Sequence, residues 1–390
     1  MGRRLELDAA RGLMLVWIAL THLPTDISTY TNQPFGFVSA AEGFILLSAL
    51  FTGRIYVRMA EREGYSFMWR KVVMRASRLY AYQALLLCFA FAIAAPLASD
   101  GGRVGLYNLL DFYFAAPTRA IIDAALLIYR PPLLDILPLY IVFLALTPVV
   151  LTIAKKIPWI YILGSSFMVW LLAQFGLKQA VYSVLTGAFG LRIPLKAMGA
   201  FDLWAWQFMW VIGLWLGARW ARNDLPIEDW AKKLTIPAAV FAAATLSLRY
   251  AVFPHVQPAM FGVLFDKCHL GVTRLLDFAA VAALLIRFPL VLRLLTLRPL
   301  ILLGQASLPV FCSHLLFCFV GLTIMGSAPA VTGWQQIVLA LATVAGMFAT
   351  AKIFALSDSD DDKRRRPRPV PRPVVIAHPS RLTRPAAPSH

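Results

Sequence analysis

Long apolar runs separated by clusters of charge constrain this chain more than any other feature. Of its 390 residues, 59% are hydrophobic and 15% are charged, whereas soluble domains carry about 25% charged residues. The runs are continuous and do not alternate with polar residues, so they favour membrane-spanning helices over the strands of a β-barrel. The sequence therefore predicts an all-α, multi-pass membrane protein.

Ten runs are long enough to cross a bilayer. With the N-terminus inside, the predicted cytoplasmic segments before the C-terminal tail contain 17 Lys and Arg residues, and the opposite segments contain 8. Because cytoplasmic loops are enriched in Lys and Arg, this asymmetry predicts that both termini are cytoplasmic. The predicted spans are residues 11–30, 37–57, 79–98, 134–154, 158–176, 201–219, 234–253, 271–290, 299–325 and 333–355.

The segments between and after the spans divide the chain further. The outer segments 99–133 and 177–200 contain only short apolar patches, which predict interfacial or re-entrant helices that cover a site on the outer face. The region 1–356 is predicted to be one membrane domain. The tail 357–390 begins SDSDDDKRRRPRPVPRP and is predicted to be a disordered cytoplasmic tail. The net charge of +17 fits basic cytoplasmic loops, so we expect no nucleic-acid partner.

The first two predicted spans carry three ionisable residues with a possible catalytic role. Arg11 and His22 are eleven positions apart, which places them on nearly the same face of a helix. His22 and Glu42 lie in the outer halves of their spans, where ionisable groups are costly and mark candidate functional sites. A carboxylate can orient an imidazole that acts as a base. Alternatively, His22 lies among lipid headgroups, and Glu42 is exposed to water or binds a sugar hydroxyl.

Cations precede the third predicted span. Lys71, Arg75 and Arg78 share one helical face in the segment WRKVVMRASRLY. Arg binds phosphate oxygens through two parallel hydrogen bonds, so this face suits a polyanion that enters from the cytoplasm. The alternative is the ordinary excess of positive charge on the cytoplasmic side.

Polar and aromatic residues near the predicted outer surface suit a sugar ligand. Asp135 opens the fourth span, and Asp202, Trp206 and Gln207 lie in FDLWAWQF. Sugars are held by hydrogen bonds to their hydroxyls and by aromatic rings against their apolar faces. The alternative is the belt of aromatic residues that many membrane proteins place at the interface.

The remaining buried polar residues are assigned structural roles. Arg274 and Asp277 are predicted to form an internal ion pair. His314 is interpreted as a core histidine, and the alternative is that it lines the cavity. The four cysteines form no CxxC pair, so we expect neither a disulfide framework nor a metal site.

These motifs resemble a known family. LDAARG followed by His22, the stretch EGFILLSA from Glu42, and Arg75 with Arg78 are similar to the membrane-bound acyltransferase-3 superfamily. More narrowly, LLDILPLYIVFLALTP, WAWQFMWVIGLWLG and LGQASLPVFCSHLL resemble the OpgC family, the succinyltransferases of osmoregulated periplasmic glucans. Ala49 stands where the superfamily usually has glycine, a departure that concerns how closely helices pack at this point.

The resemblance implies an O-acyltransferase of ten spans in the bacterial inner membrane. Acyl-CoA, expected to be succinyl-CoA, is the implied co-substrate, a hydroxyl of a periplasmic glucan is the implied acceptor, and no cofactor is implied. His22 is then the general base, Arg11 fixes the donor, and Lys71, Arg75 and Arg78 hold the CoA phosphates. Two alternatives stay open: an O-acetyltransferase of another surface glycan such as lipopolysaccharide, and a transporter or flippase of an anionic glycolipid.

Overall fold

The part of the chain that the structure describes is almost entirely helical. The computed structural model describes residues 5–99, 103–250, 262–325 and 333–365. The α-helices begin with α1 (Leu5–His22), α2 (Ile27–Thr31), α3 (Ala40–Glu63), α4 (Tyr65–Phe89), α5 (Ala95–Ser99), α6 (Val104–Leu109), α7 (Asp111–Ala115), α8 (Pro117–Ala125), α9 (Ile136–Ile153) and α10 (Trp159–Gln174). They continue with α11 (Leu177–Phe189), α12 (Leu203–Ala221), α13 (Ile227–Arg249), α14 (Gly262–Phe265), α15 (Val272–Arg287), α16 (Pro289–Leu294), α17 (Arg298–Gln305), α18 (Ser307–Met325) and α19 (Gly333–Arg365).

Within the described residues, six helical segments are long and apolar enough to cross a membrane. A seventh span results if α10 and α11 count as one, although the two helices meet at a bend of 78°. The prediction of an all-helical membrane protein is therefore confirmed, and length and composition support six or seven of the ten predicted spans. The six segments are α3, Tyr65–Ser99 (α4, a π-helical turn and α5), α9, α13, Ser307–Ile324 and Gly333–Leu356.

Three of the predicted spans are absent from this set or match it only in part, for identifiable physical reasons. Helix α1 has 18 residues but carries Glu6 and Asp8 in its first turn, followed by Arg11. Helix α15 has only 16 residues. The predicted span 299–325 is broken between α17 and α18, because Pro309 has no amide proton to donate to the carbonyl of Gln305.

Short helices occupy the outer segments of the predicted topology. Helices α6, α7 and α8 follow one another between residues 104 and 125, and the longest of them has nine residues. Helix α11 turns away from α10 at Gly176, whose φ of +91° is a backbone conformation that favours glycine. None of these four helices is long enough to cross a membrane by itself.

Two close helix crossings hold the site together. At the α3–α12 crossing, a Cβ added to Gly217 would lie 2.2 Å from the carbonyl oxygen of Leu50, and one added to Gly213 would lie 2.4 Å from the Cβ of Ala49. Because Gly213 and Gly217 have no side chain, α12 packs closely against α3 even though Ala49 carries a methyl group at this crossing. At the α1–α17 crossing, a Cβ on Gly304 would lie 1.9 Å from the carbonyl oxygen of Asp8.

The last helix continues past the boundary predicted for the membrane domain. Helix α19 runs to Arg365, so Ser357–Arg365 is helical where the sequence predicts the beginning of a disordered tail. The rest of the predicted tail lies outside the described residues. The added helix follows the apolar segment Gly333–Leu356 without a break.

Candidate active site

A pair of histidines joins α1 to α18. His22 is the last residue of α1 and is half-buried, whereas His314 has no exposed surface. Nδ1 of His22 lies 3.4 Å from Nε2 of His314. One ring donates this hydrogen bond and the other accepts it. When His22 donates from Nδ1, its Nε2 keeps the lone pair that a general base needs.

His314, and not Glu42, is therefore the hydrogen-bond partner of His22. Glu42 is fully buried and accepts hydrogen bonds from the backbone N–H and the hydroxyl of Ser39 in a capping box. Its other oxygen accepts from Nε (3.0 Å) and Nη2 of Arg274. The prediction that Glu42 orients His22 is wrong in this structure because its carboxylate is engaged by these groups.

The predicted ion pair between Arg274 and Asp277 is also replaced by other contacts. Asp277 accepts from the backbone N–H of Phe37 and from the hydroxyl of Thr245, both at 2.7 Å. The two side chains thus contact different helices, although they are only three positions apart on α15. Sequence spacing missed this division because it reports which residues share a face and not which helices pack there.

A small basic cavity lies between α1, α3, α4, α9 and α18. Its volume is about 60 Å³. Arg11 lines it and donates from Nη2 to the hydroxyl of Ser307 at 2.6 Å; Arg75 lines it and donates from Nη2 to the hydroxyl of Tyr140 at 2.8 Å. The other lining residues are Phe44, Ile45, Ser48, Leu79, Ile136, Leu137, Leu308 and Phe311. The structure thus brings together two arginines that are 64 positions apart.

The cavity holds positive charge with no carboxylate in its lining. The hydroxyl of Ser48 is buried and has no hydrogen-bond partner among the described residues. The Phe311 ring lines the cavity and contacts the His314 ring edge-on at 4.8 Å between centroids. The basic cavity and the histidine pair are therefore neighbours, with Phe311 between them.

Of the three cations predicted to hold phosphates, Arg75 is the one whose side chain lines this cavity. Lys71 is half-buried, with Nζ 5.0 Å from the centroid of the Phe67 ring. Arg78 is exposed. The structure therefore divides the predicted basic face into one interior guanidinium and two cations nearer the surface.

The four residues predicted to bind a glycan make contacts within the protein. Asp202 caps α12 by accepting from the backbone N–H of Trp204 at 2.9 Å. Trp206 is fully buried, and Gln207 exchanges hydrogen bonds with Ser166 at 2.6 and 2.8 Å. Asp135 accepts from the backbone N–H of Ala200 at 3.1 Å. In this conformation Trp206 presents no ring face to a sugar, which is a correction to the stacking role predicted for it.

The loop between α14 and α15, residues 266–271, lies against these residues, and no sequence pattern predicted this contact. Its carbonyls accept from side chains of α10 and α12: Cys268 from Trp206 Nε1 at 3.1 Å and Leu270 from Trp170 Nε1 at 3.0 Å. Within the loop, a hydrogen bond from the His269 ring to Asp266 raises the pKa of His269 and lowers that of Asp266. The loop is thus held firmly at the end of α12.

Apolar spans, a basic cavity and an adjacent imidazole pair together define a polytopic helical membrane protein with a candidate site inside its bundle. A family model described as "OpgC protein" matches residues 3–359, nearly the whole chain. The chain belongs to the OpgC family. This membership supports a role of acyltransferase type in the modification of glucans. No curated protein and no solved structure gives a match.

Proposed function

We propose that this protein transfers a succinyl group from cytoplasmic acyl-CoA to a hydroxyl of a periplasmic glucan, with His22 as the general base. The observation that carries this proposal is the family match, read together with the hydrogen bond between Nδ1 of His22 and Nε2 of His314. The site would lie in the bacterial inner membrane, with ten spans and both termini in the cytoplasm.

In the proposed reaction, Nε2 of His22 takes the proton of the acceptor hydroxyl. The hydroxyl oxygen then forms a bond to the thioester carbonyl carbon, and the bond from that carbon to sulfur breaks. The CoA thiolate leaves and takes the proton back from His22, so the base is restored after each turnover. His314 acts through the orientation of His22 and is a positioning residue, since its ring contacts His22 and not the reacting atoms.

The basic cavity is the proposed path of the donor. Arg11 and Arg75 bring positive charge to a chamber that is otherwise lined by apolar and hydroxyl side chains, an environment that suits a thioester carbonyl and a thin pantetheine arm. Lys71 and Arg78 lie nearer the surface, where they would hold the CoA phosphates. A cavity of about 60 Å³ is far smaller than the roughly 300–1,000 Å³ of typical ligand pockets. Donor binding therefore requires the surrounding helices to move apart.

The acceptor would approach from the opposite end of the bundle, where His22 ends α1. Glu42, Asp135, Asp202 and Gln207 remain proposed contributors to this end of the site through the loops and helices that they hold. Trp206 would contribute its sugar-stacking face only after the loop 266–271 moves away from α12.

The test is transfer by the purified protein in detergent. With succinyl-CoA and a β-glucan present, we expect release of free CoA thiol and a mass increase of about 100 Da per added succinyl group, or about 42 Da for an acetyl group. A protein that binds or transports an anionic glycolipid without acyl transfer would release no thiol, and this result would overturn the proposal.

A further inference from the structure

The basic cavity contains a cation that no carboxylate holds. Arg75 is half-buried, lines the cavity and donates from Nη2 to the hydroxyl of Tyr140 at 2.8 Å. Among the described residues, no carboxylate oxygen lies within 4.0 Å of the Arg75 guanidinium. Because a partly desolvated charge without a counter-charge is costly, this guanidinium gains more from a bound anion than an exposed arginine does.

Three hydroxyl groups line the same cavity. Ser48 is only 2% exposed, and its hydroxyl has no hydrogen-bond partner among the described residues. The hydroxyls of Ser307 and Tyr140 accept hydrogen bonds from the two arginines of the cavity. In the part of the chain that the structure describes, neither of these hydroxyls donates its own proton to a protein group. Since each hydroxyl carries one proton, all three have a hydrogen bond left to give.

The lining of the basic cavity is therefore rich in hydrogen-bond donors and includes no carboxylate. Guanidinium nitrogens can only donate, and the three hydroxyls have protons left to donate. An anion accepts from all of these groups at once, and such charge-assisted hydrogen bonds are about twice as strong as neutral ones. A water molecule must also donate its own protons, so it satisfies this lining less well. The chemistry of the lining thus favours an anion over water.

The size and the walls of the basic cavity limit which anion fits. Its volume of about 60 Å³ exceeds the roughly 10–15 Å³ needed to hold one water and is far below the roughly 300–1,000 Å³ of typical ligand pockets. This space suits a monatomic ion and not an organic anion with a carbon chain. The other walls are apolar side chains, among them Phe44, Leu79 and Phe311. Apolar walls favour ions that lose their hydration at low cost, so bromide should bind more tightly than chloride, and fluoride least tightly.

We propose that the basic cavity is a binding site for a small monovalent anion, namely chloride. The main donors to the anion are the guanidinium of Arg75 and the hydroxyl of Ser48, and the set is completed by Arg11, Ser307 and Tyr140. The bound anion joins helices α1, α3, α4, α9 and α18 and so stabilises the folded bundle. This inference does not depend on acyl transfer. Because the proposed path of the donor passes through the same cavity, the anion leaves when the donor enters.

Thermal unfolding of the purified protein in detergent tests the anion site. Sodium chloride replaces sodium gluconate at constant ionic strength, so that only the anion changes, and gluconate is too large for the cavity. A ligand that binds the folded state alone raises the unfolding temperature as its concentration rises above its dissociation constant. We expect chloride to raise the unfolding temperature in this way, bromide to do so at lower concentrations, and fluoride to have the smallest effect.

Single substitutions in α3 and α4 locate the effect. For Ser48→Ala, we expect the chloride concentration that gives a set rise in unfolding temperature to increase by about tenfold to a hundredfold, because one hydrogen bond to the anion is lost. Arg75→Gln should remove the chloride effect. Two matched controls on α4 should keep the wild-type response: Ser77→Ala, since Ser77 is exposed and donates to the carbonyl of Val73 at 3.0 Å, and Arg70→Gln, since Arg70 is exposed.

Ser48→Ala removes a hydroxyl that bonds to no described protein group, so this variant should fold even if Arg75→Gln does not. If Ser48→Ala responds to chloride as the wild type does, the anion site is overturned, whatever the result for Arg75→Gln. If fluoride stabilises the wild type as strongly as bromide, the salt acts on the protein surface and the site is overturned as well. A failure of acyl transfer changes neither result, because unfolding is measured without donor or acceptor.

Discussion

His22 has the geometry of a base whose orientation is set by a neighbour. We expect His22→Ala to lower the rate of acyl transfer by about 10²–10⁴-fold, the usual contribution of a general base. His314→Ala should lower kcat by less and leave the KM for the donor near its wild-type value, because the ring that it orients remains. Initial rates of CoA thiol release measure both effects.

The folding of the His22→Ala variant is the necessary control, and its elution from a size-exclusion column in detergent should match that of the wild type. A variant that folds and still modifies the glucan at the wild-type rate would remove His22 from the mechanism.

Glu42 and Arg274 form a buried ion pair whose disruption should destabilise the fold. Both side chains are nearly inaccessible to solvent, and Glu42→Gln leaves the guanidinium without its counter-charge. We expect a loss of about 3–5 kcal/mol in the free energy of unfolding. Asp224→Asn is the control: Asp224 is 70% exposed and pairs with Arg219, so its loss should cost at most about 1 kcal/mol. Thermal unfolding in detergent compares the two, and equal shifts would contradict the structural role of Glu42.

At the residue scale, the sequence predicted which side chains are unusual better than it predicted their partners. Arg11 and His22 stand out because ionisable groups inside apolar runs are rare, and Arg75 stands out because it shares one helical face with Lys71 and Arg78. The His22–His314 and Glu42–Arg274 contacts join residues 292 and 232 positions apart. Helical periodicity carries no information about such pairs, since it does not say which helices pack together.

Among the structural elements, the loop 266–271 should respond to pH through His269. The hydrogen bond to Asp266 raises the pKa of His269 above its ordinary value of 6.5, so the stabilisation is fully present below 6.5 and is lost as the pH rises through the raised pKa. The lowered pKa of Asp266 has the opposite sign: its stabilisation is present above the ordinary value of 3.8 and is lost as the pH falls through the lowered pKa.

The contribution of the His269–Asp266 pair to the free energy of unfolding is therefore largest between about pH 4 and 6.5. We expect the difference in thermal unfolding temperature between wild type and His269→Gln to be greatest near pH 6 and to shrink as the pH rises toward 9. The difference should be small throughout, because the two side chains are 28% and 31% exposed. A difference in unfolding temperature that grows as the pH rises would contradict the raised pKa of His269.

The α1–α17 crossing tests how helix packing positions Arg11. Gly304→Ala places a methyl group against the backbone of Asp8, so the helices must separate, at a cost of about 1–3 kcal/mol. Because Arg11 and Ser307 lie beside this crossing, acyl transfer should fall as well. Gly164→Ala on α10 is the control, since no atom lies within 4 Å of its added Cβ. Equal thermal stability and activity in both variants would show that the crossing tolerates separation.

Helix type and approximate position were predictable from apolar runs, but helix ends and breaks were not. The bend of 78° between α10 and α11 depends on Gly176 in a left-handed conformation. The break before α18 depends on the missing amide of Pro309. Both signals are single residues inside runs whose average hydropathy favours a continuous helix, so a window of about twenty residues passes over them.

For the whole molecule, the number of membrane crossings decides on which side each charged segment lies. Ten spans place both termini and the turn at Gly64 on one side. If only the six segments that satisfy length and composition cross the membrane, both termini lie on one side and Gly64 lies on the other. If seven segments cross, Gly64 and the C-terminus lie on one side and the N-terminus lies on the other. Only the ten-span arrangement puts the cations at positions 3, 4, 58 and 62 on the same side, as the enrichment of Lys and Arg in cytoplasmic loops requires.

We therefore expect the N-terminus, the C-terminus and residue 63 all to face the cytoplasm. The measurement uses an added cysteine at Glu63, which is exposed beside the turn, in a chain whose four native cysteines are replaced, with reporter fusions at each terminus. A membrane-impermeant maleimide should label Glu63→Cys in inside-out vesicles and not in intact spheroplasts. Labelling in spheroplasts with both termini cytoplasmic would establish six spans. Labelling in spheroplasts, together with a C-terminal reporter whose activity shows a periplasmic C-terminus, would establish seven spans. Either result would place Lys71 and Arg78 on the periplasmic side, where they could not hold a cytoplasmic donor.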